Sequence, residues 1–398
     1  MASGFIIAKA VAIHTGPTGI AMLGQVQSLF TAMNGIVAAP AGSGVVRYTA
    51  ENHALGLEAC APWWRASLKW MLLLMALILP ISCTFAKPIA NWALGSDDYA
   101  WLVIVTAVAL PLSAANSLVG SVINGQQQYR RFVGLGFIAV IIATAFMLVL
   151  IIKMQLKGAL LAAALFMSIS GLVMLLGSFM QPWFKFKYWW GSVDKSHLKG
   201  VGGYVAMAIT SAACMPLALL MVRNILVDNV GWEQAGHWQA VYKISEVYLG
   251  VITIALSTYF LPKLATLKGK DAVLTEIQNT AKVVMPIVIV LAIAVYLLRD
   301  IAISLVFTEA FRPARNLFAV QLMGDVIKIL AWLYAYPMLS HGATKWFVTT
   351  EIFFSLSFIL FAFILVEKYG IGGANWAYFG NYLLYLIVLV TNLKNFTK

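Results

Sequence analysis

Long stretches without a single formal charge dictate what this chain can fold into. Residues 132–152, 158–184, 200–222 and 369–393 contain no Asp, Glu, Lys or Arg, and residues 99–129 are interrupted only by Pro111 and polar side chains near Asn116. A helix needs roughly 20 apolar residues to cross ~30 Å of hydrocarbon. Each of these runs is therefore the length of a membrane crossing. Composition agrees: 62% of the 398 residues are hydrophobic and 11% are charged, far below the ~25% that usually covers a soluble domain. Lipid must cover this surface, and backbone in lipid must satisfy its own hydrogen bonds. The fold class that follows is an all-α integral membrane protein of about twelve transmembrane helices.

The spans fall near 2–13, 20–41, 67–86, 99–120, 131–152, 157–179, 201–224, 236–261, 281–298, 316–339, 346–366 and 371–393. The second, eighth and tenth are the most polar and belong inside the bundle. The longest connections are expected at 42–66, 180–200 and 262–280. With the N-terminus inside, sixteen Lys and Arg fall on the cytoplasmic side, Arg47, Lys268 and Lys398 among them, against seven outside. That bias places both termini in the cytoplasm. It also accounts for the net charge of +12 through an anionic leaflet rather than nucleic acid. Prolines at 40, 80, 111, 216, 286 and 337 are candidate helix kinks. The three cysteines form no CxxC, which argues against a metal site or disulfide framework.

The two halves echo each other. Residues 87–97 follow the third span and residues 299–309 follow the ninth, with a cation, Ile-Ala and a hydroxyl-acid step at matching offsets. Lys9 and Gly19 pair more weakly with Arg223 and Gly236. Six spans per copy make a parallel repeat, which gives two six-helix lobes, 1–190 and 191–398, with a substrate site in a central cavity between them. Far fewer residues precede Lys9 than the matching span offers before Arg223. The repeat thus predicts a shortened first helix and a native start upstream of Met1.

Charge within a span is costly, about 2.5–3.5 kcal/mol on insertion scales, and tends to mark function. The candidates are Lys9, Arg223, Lys243, Glu246, Asp325 and Lys328. Lys243 and Glu246 share one helix face, as do Asp325 and Lys328. Each couple serves either as a self-neutralising structural pair or as a coupling element. Lys9 and Arg223 either snorkel to an interface or supply one cation per lobe to an anion site, which Arg47 would extend. Tyr242 and Tyr248 flank the Lys243–Glu246 pair and line either a pore or an aromatic belt. Walker, HExxH and metal-spaced His/Cys patterns are missing, so no catalytic residue and no cofactor is assigned.

The stretches 236–246 and 259–262, the Leu-Arg-Asp at 298–300 and the Gly-Asp-x-x-Lys at 324–328 resemble the O-antigen flippases of the Wzx type. Those belong to the multidrug/oligosaccharidyl-lipid/polysaccharide exporter superfamily and include flippases for enterobacterial common antigen. The resemblance implies a non-enzymatic, alternating-access carrier in the bacterial inner membrane. It implies an undecaprenyl-pyrophosphate-linked oligosaccharide as cargo, membrane lipids as surroundings, and a monomer working beside a polysaccharide polymerase and a chain-length regulator. Under it, Lys9, Arg47, Arg223, Lys243, Tyr242 and Tyr248 contact substrate, while Glu246, Asp325 and Lys328 form coupling or structural charges. A multidrug exporter of the same superfamily is the alternative. A membrane-embedded polymerase or ligase is a weaker one, lacking a catalytic loop.

Overall fold

The structure is a computed structural model that describes residues 2–267 and 269–397, Ala2 by its backbone alone. Lys268 and Lys398, counted above for orientation, lie outside the described residues. Every regular element among the described residues is helical. In chain order the α-helices are α1 (Ala2–Ala38), α2 (Ser43–Asn52), α3 (Leu57–Thr84), α4 (Ala86–Leu94), α5 (Ala100–Gly125), α6 (Tyr129–Ser178) and α7 (Phe186–Trp189). They continue with α8 (Lys195–Ala255), α9 (Leu261–Ala265), α10 (Lys270–Leu297), α11 (Arg299–Val306), α12 (Phe318–Ser340), α13 (Thr344–Tyr369) and α14 (Ile371–Phe396). Nine helical stretches among the described residues are long and apolar enough to cross a membrane.

The outer faces show why lipid is required. Val283, Val290 and Leu297 recur at heptad spacing on α10 and are all exposed, as are Phe353, Leu356, Leu360 and Phe363 on α13. Such stripes would be untenable in water, whereas hydrocarbon solvates them at no cost. The chain is a multi-pass membrane protein.

Three of the helical stretches are too long for one crossing, at 53, 50 and 71 residues, and each contains a residue with non-helical dihedrals. Gly16 (φ 61°, ψ −162°) breaks α1, Gln155 (φ 48°, ψ −123°) breaks α6 and Gly231 (φ 83°, ψ 167°) breaks α8. The break at Gly16 has a local cause: Pro17 follows, and a residue before proline is pushed out of the helical region. The prolines singled out in the sequence lie at places other than these three breaks. Pro80, Pro111, Pro216, Pro286 and Pro337 all sit inside continuous helices, and Pro40 lies in the 3-10 turn Ala39–Ala41.

The connections also differ from the sequence reading. Most of 42–66 is helical, as α2 and the start of α3, and α10 begins at Lys270 rather than near 281. These segments carry too many charges to be read as spans, yet polar helices form readily beside a bundle that buries one face. On α2 that face is Gly44, Val45 and Thr49.

The chain divides into two compact units, one of residues 1–22 with 218–398, the other of residues 23–217. Both cuts, inside the long helices α1 and α8, lie at other places than the boundary between residues 190 and 191. In the 23–217 unit, α5 is the central element and packs against α2, α3, α4 and α6. Small side chains permit close approach: a Cβ on Gly171 would lie 1.8 Å from the Leu112 carbonyl oxygen. In the other unit, α12 and α14 pack together, with α10 and α13 beside them. There Gly236 lets α8 meet the Pro17 carbonyl, at 2.0 Å from an added Cβ.

The order of elements repeats. A long helix, a short helix, a 3-10 segment and a second long helix appear as α3, α4, Asp97–Tyr99 and α5, and again as α10, α11, Glu309–Leu317 and α12. The junctions match in backbone shape, Phe85 (φ −99°, ψ 23°) and Leu298 (φ −93°, ψ 8°).

Gly171→Ala drives a methyl group into the backbone of α5, an overpacking that costs about 1–3 kcal/mol. It should lower the melting temperature of detergent-purified protein. Gly134→Ala, on the same helix with nothing within 4 Å of the added Cβ, should leave melting unchanged.

Candidate functional site

Asp325 has no exposed surface and sits mid-way along α12. Its oxygens accept hydrogen bonds from Tyr248 on α8 at 2.7 Å, Tyr378 on α14 at 2.9 Å and Gln321 one turn earlier at 3.3 Å, and Ser245 on α8 is a further hydrogen-bond partner. Gln321 accepts in turn from Asn375 at 2.9 Å. A buried carboxylate is tolerable only when donors replace its water, and here hydroxyls from two other helices do so.

Lys328 lies one turn further along α12 and is also buried. The expected Asp325–Lys328 pair is not a direct ion pair among the described residues. The ammonium instead faces three rings, with Nζ 4.9 Å from the centroid of Trp332, 5.4 Å from Tyr382 and 5.6 Å from Tyr378. Aromatic faces attract cations, more so when water is excluded. The carboxylate thus has hydroxyl and amide donors, and the ammonium has aromatic faces, while the two remain one turn apart on the same helix.

Arg223, on α8, is 1% exposed, with Tyr242 and Glu246 as its electrostatic neighbours. Tyr242 is buried and stacks on Trp238 at 5.4 Å and 24°, and it meets Tyr378 edge-on at 6.3 Å. Tyr378 contacts Tyr382 at 4.9 Å, and Tyr382 contacts Tyr385 at 6.4 Å. The buried run 235–242 of α8 thus meets the tyrosines of α14 through the contact of Tyr242 with Tyr378. Lys243 and Glu246 do form a direct pair, 3.1 Å apart, and both are partly exposed.

Arg223, Tyr242, Lys243, Glu246, Tyr248, Asp325 and Lys328 therefore all lie in the unit of residues 1–22 and 218–398. Lys9 belongs to the same unit but is used elsewhere. Its ammonium donates to the carbonyls of Ser304, at 2.7 Å, and Phe307. These close the C-terminal end of α11, where the helix dipole favours a cation. Arg47 lies in the other unit, exposed on α2 and bonded to Glu51 and to the Tyr204 hydroxyl, each at 2.7 Å.

The sequence reading missed Gln321, Asn375, Tyr378, Tyr382 and Tyr385. A signal for four of them exists: Asn375, Tyr378, Tyr382 and Tyr385 fall at i, i+3, i+7 and i+10, a polar stripe on an otherwise apolar helix. The assembled cluster is a buried one in which charge, aromatic faces and hydroxyls meet. Two buried cations, several aromatic faces and a ring of hydroxyls suit a ligand with an anionic part and a hydroxylated part.

Comparison with known proteins agrees in fold and in sequence. The chain superposes over its whole length on an inward-facing multidrug resistance MATE family transporter of the MOP superfamily, covering 96% of that chain (TM-score 0.81, 15% identity). It covers 85% of the lipid II flippase MurJ in an inward closed conformation (TM-score 0.77, 13% identity). These likenesses establish a membrane-transporter fold. In sequence it is 28% identical over 391 residues to the lipid III flippase of Escherichia coli K12, which spans 96% of this chain and 92% of that protein, and equally to the one from Shigella flexneri. Residues 65–316, well over half of the chain, match one family model; the chain belongs to the family of polysaccharide biosynthesis proteins that this model describes.

Proposed function

We propose that this protein is a flippase. It carries a polyprenyl-pyrophosphate-linked oligosaccharide from the cytoplasmic to the periplasmic leaflet of the bacterial inner membrane, undecaprenol being the polyprenyl chain. The observation that carries the reading is the burial of Arg223 and Lys328 within a tyrosine- and tryptophan-lined cluster, in a chain similar along nearly its full length to lipid III flippases. Phosphate oxygens match Arg and Lys donors, and aromatic faces with nearby hydroxyls suit sugar rings.

In this reading Arg223 and Lys328 meet the pyrophosphate. Lys243, Tyr242 and Tyr248 border the same site, and Arg47 acts at a separate point of entry. Glu246 and Asp325 hold the cations in register or couple the cycle to an ion. Lys9 serves as a pin for α11 rather than as a ligand. Two crossings in each of the three broken helices bring nine to twelve, arranged as two six-span repeats, with both termini cytoplasmic. The carrier works as a monomer alongside a polysaccharide polymerase and a chain-length regulator. Outward movement of an anionic head group runs with an inside-negative potential, worth ~2.3 kcal/mol per charge per 100 mV. The drug-exporter fold neighbours support a second reading less well, because a cationic drug would meet two buried cations.

The test is complementation of an Escherichia coli strain lacking its lipid III flippase. The native chain should restore surface polysaccharide. Arg223→Ala and Lys328→Met should abolish it at equal membrane abundance, and Lys243→Ala should weaken it. No restoration by the native chain, together with raised resistance to cationic dyes, would favour the exporter. Restoration by Arg223→Ala as complete as by the native chain would remove the arginine from the site.

Asp325 has a separate structural signature. Tyr378→Phe removes one hydrogen bond to a charged acceptor, worth about 1.5–3 kcal/mol. It should lower the melting temperature of the purified protein by more than Tyr385→Phe, whose hydroxyl does not reach Asp325.

A further inference from the structure

The chain between α6 and α8 carries an unusual density of aromatic and basic side chains, Phe179-Met-Gln-Pro-Trp-Phe-Lys-Phe-Lys-Tyr-Trp-Trp190. It folds as a 3-10 turn, Pro182–Phe184, and the single turn of α7. Its inner side is fixed to the rest of the 23–217 unit. Trp183, Tyr188 and Trp189 pack their rings against Trp64 on α3. Arg65 Nη2 donates to the Lys187 carbonyl at 2.5 Å, and Trp189 Nε1 donates to the Trp183 carbonyl at 3.0 Å.

The outer side is different in kind. Met180 is 94% exposed and Phe186 74%, and Phe179 and Trp190 are exposed beside them. Phe186 and Trp190 stack on one another at 6.1 Å and 17°, so the aromatic pair is held ready on the surface. Lys185 and Lys187 are interleaved with these residues, and Lys195 and Lys199 follow at the start of α8, against a single acid, Asp194, in residues 179–200. Lys187 is engaged by Glu58 at 2.9 Å, whereas Lys185 is exposed.

We infer that residues 179–190 form a preorganised foot that docks on an anionic phospholipid surface, with Phe179, Met180, Phe186 and Trp190 entering the interface and Lys185 reaching the headgroups. Charge complementarity selects this occupant: exposed aromatics interleaved with lysines suit the level where acyl chains meet headgroups, and the excess of lysine favours an anionic leaflet. The foot would fix the depth of the connection between the sixth and seventh crossings, independent of what the protein carries.

The full chain can be tested in nanodiscs with and without phosphatidylglycerol, with a spin label at Met180→Cys after Cys83 and Cys214 are replaced by alanine and the buried Cys60 is retained. The label should be relaxed by oxygen and shielded from a water-soluble nickel chelate, and more so when phosphatidylglycerol is present. Native mass spectrometry of the detergent-extracted protein should show phosphatidylglycerol retained over phosphatidylcholine. Lys185→Gln should reduce that preference about fivefold, as expected for ~1 kcal/mol per basic residue at an anionic surface, and Lys187→Gln should reduce it less because Glu58 already engages its amine. Phe186→Ala with Trp190→Ala should bring the label toward water without altering the melting temperature. A label open to the nickel chelate in phosphatidylglycerol discs would leave the face to a soluble protein and overturn the inference, as would unchanged phosphatidylglycerol retention in Lys185→Gln.

Discussion

A carboxylate sealed away from water fixes much of this molecule's architecture. Asp325 is stable inside an apolar bundle only because Tyr248 and Tyr378 bring hydroxyl donors from α8 and α14. The requirement acts on three helices at once: moving α8 or α14 would strand the charge. A buried charge that loses its partners costs several kcal/mol, a large fraction of any domain's stability. The same commitment frees Lys328 from its nominal partner, and the lysine turns to Trp332, Tyr378 and Tyr382. Its ammonium is thereby sheltered by aromatic faces, with Asp325 one turn away on the same helix.

The internal repeat is one of shape and not of polarity. Both copies run through a long helix, a short helix, a 3-10 segment and a second long helix. Yet the buried Arg, Lys, His, Asp and Glu side chains among the described residues, Arg223, His237, Glu276, Asp325 and Lys328, all belong to the unit containing 218–398. The other unit is cemented by small residues, as at Gly171 against Leu112, and by tryptophans gathered at one end.

What could be read in the sequence follows from how far each signal reaches along the chain. Spans are local properties, so the charge-free runs located the helices well. In-span charges are local too: eight of the nine site candidates fall in the unit of residues 1–22 and 218–398, and seven of these belong to α8 and α12. Lys9 and Arg47 did not join them, because their partners, the α11 carbonyls and Tyr204, are 295 and 157 residues distant and invisible to any spacing rule. Tyr378 and Tyr382 were lost for a further reason: tyrosines in spans are ordinarily belt residues, and only the stripe they share with Asn375 and Tyr385 distinguishes them. The polar connection 42–66 looked like a loop because its helices earn their stability from one buried face.

The chain passes from one compact unit to the other inside α1, between residues 22 and 23, and again inside α8, between residues 217 and 218. Modular exchange is therefore barred at the places where domain swapping ordinarily succeeds. A chimera joined in the polar segment before α8 would carry residues 195–217 away from the aromatic and glycine surfaces that receive them, Trp63 and Trp70 among these. Recombination between relatives would have to cut within membrane helices and preserve their register, so the two units are bound to diverge as a pair.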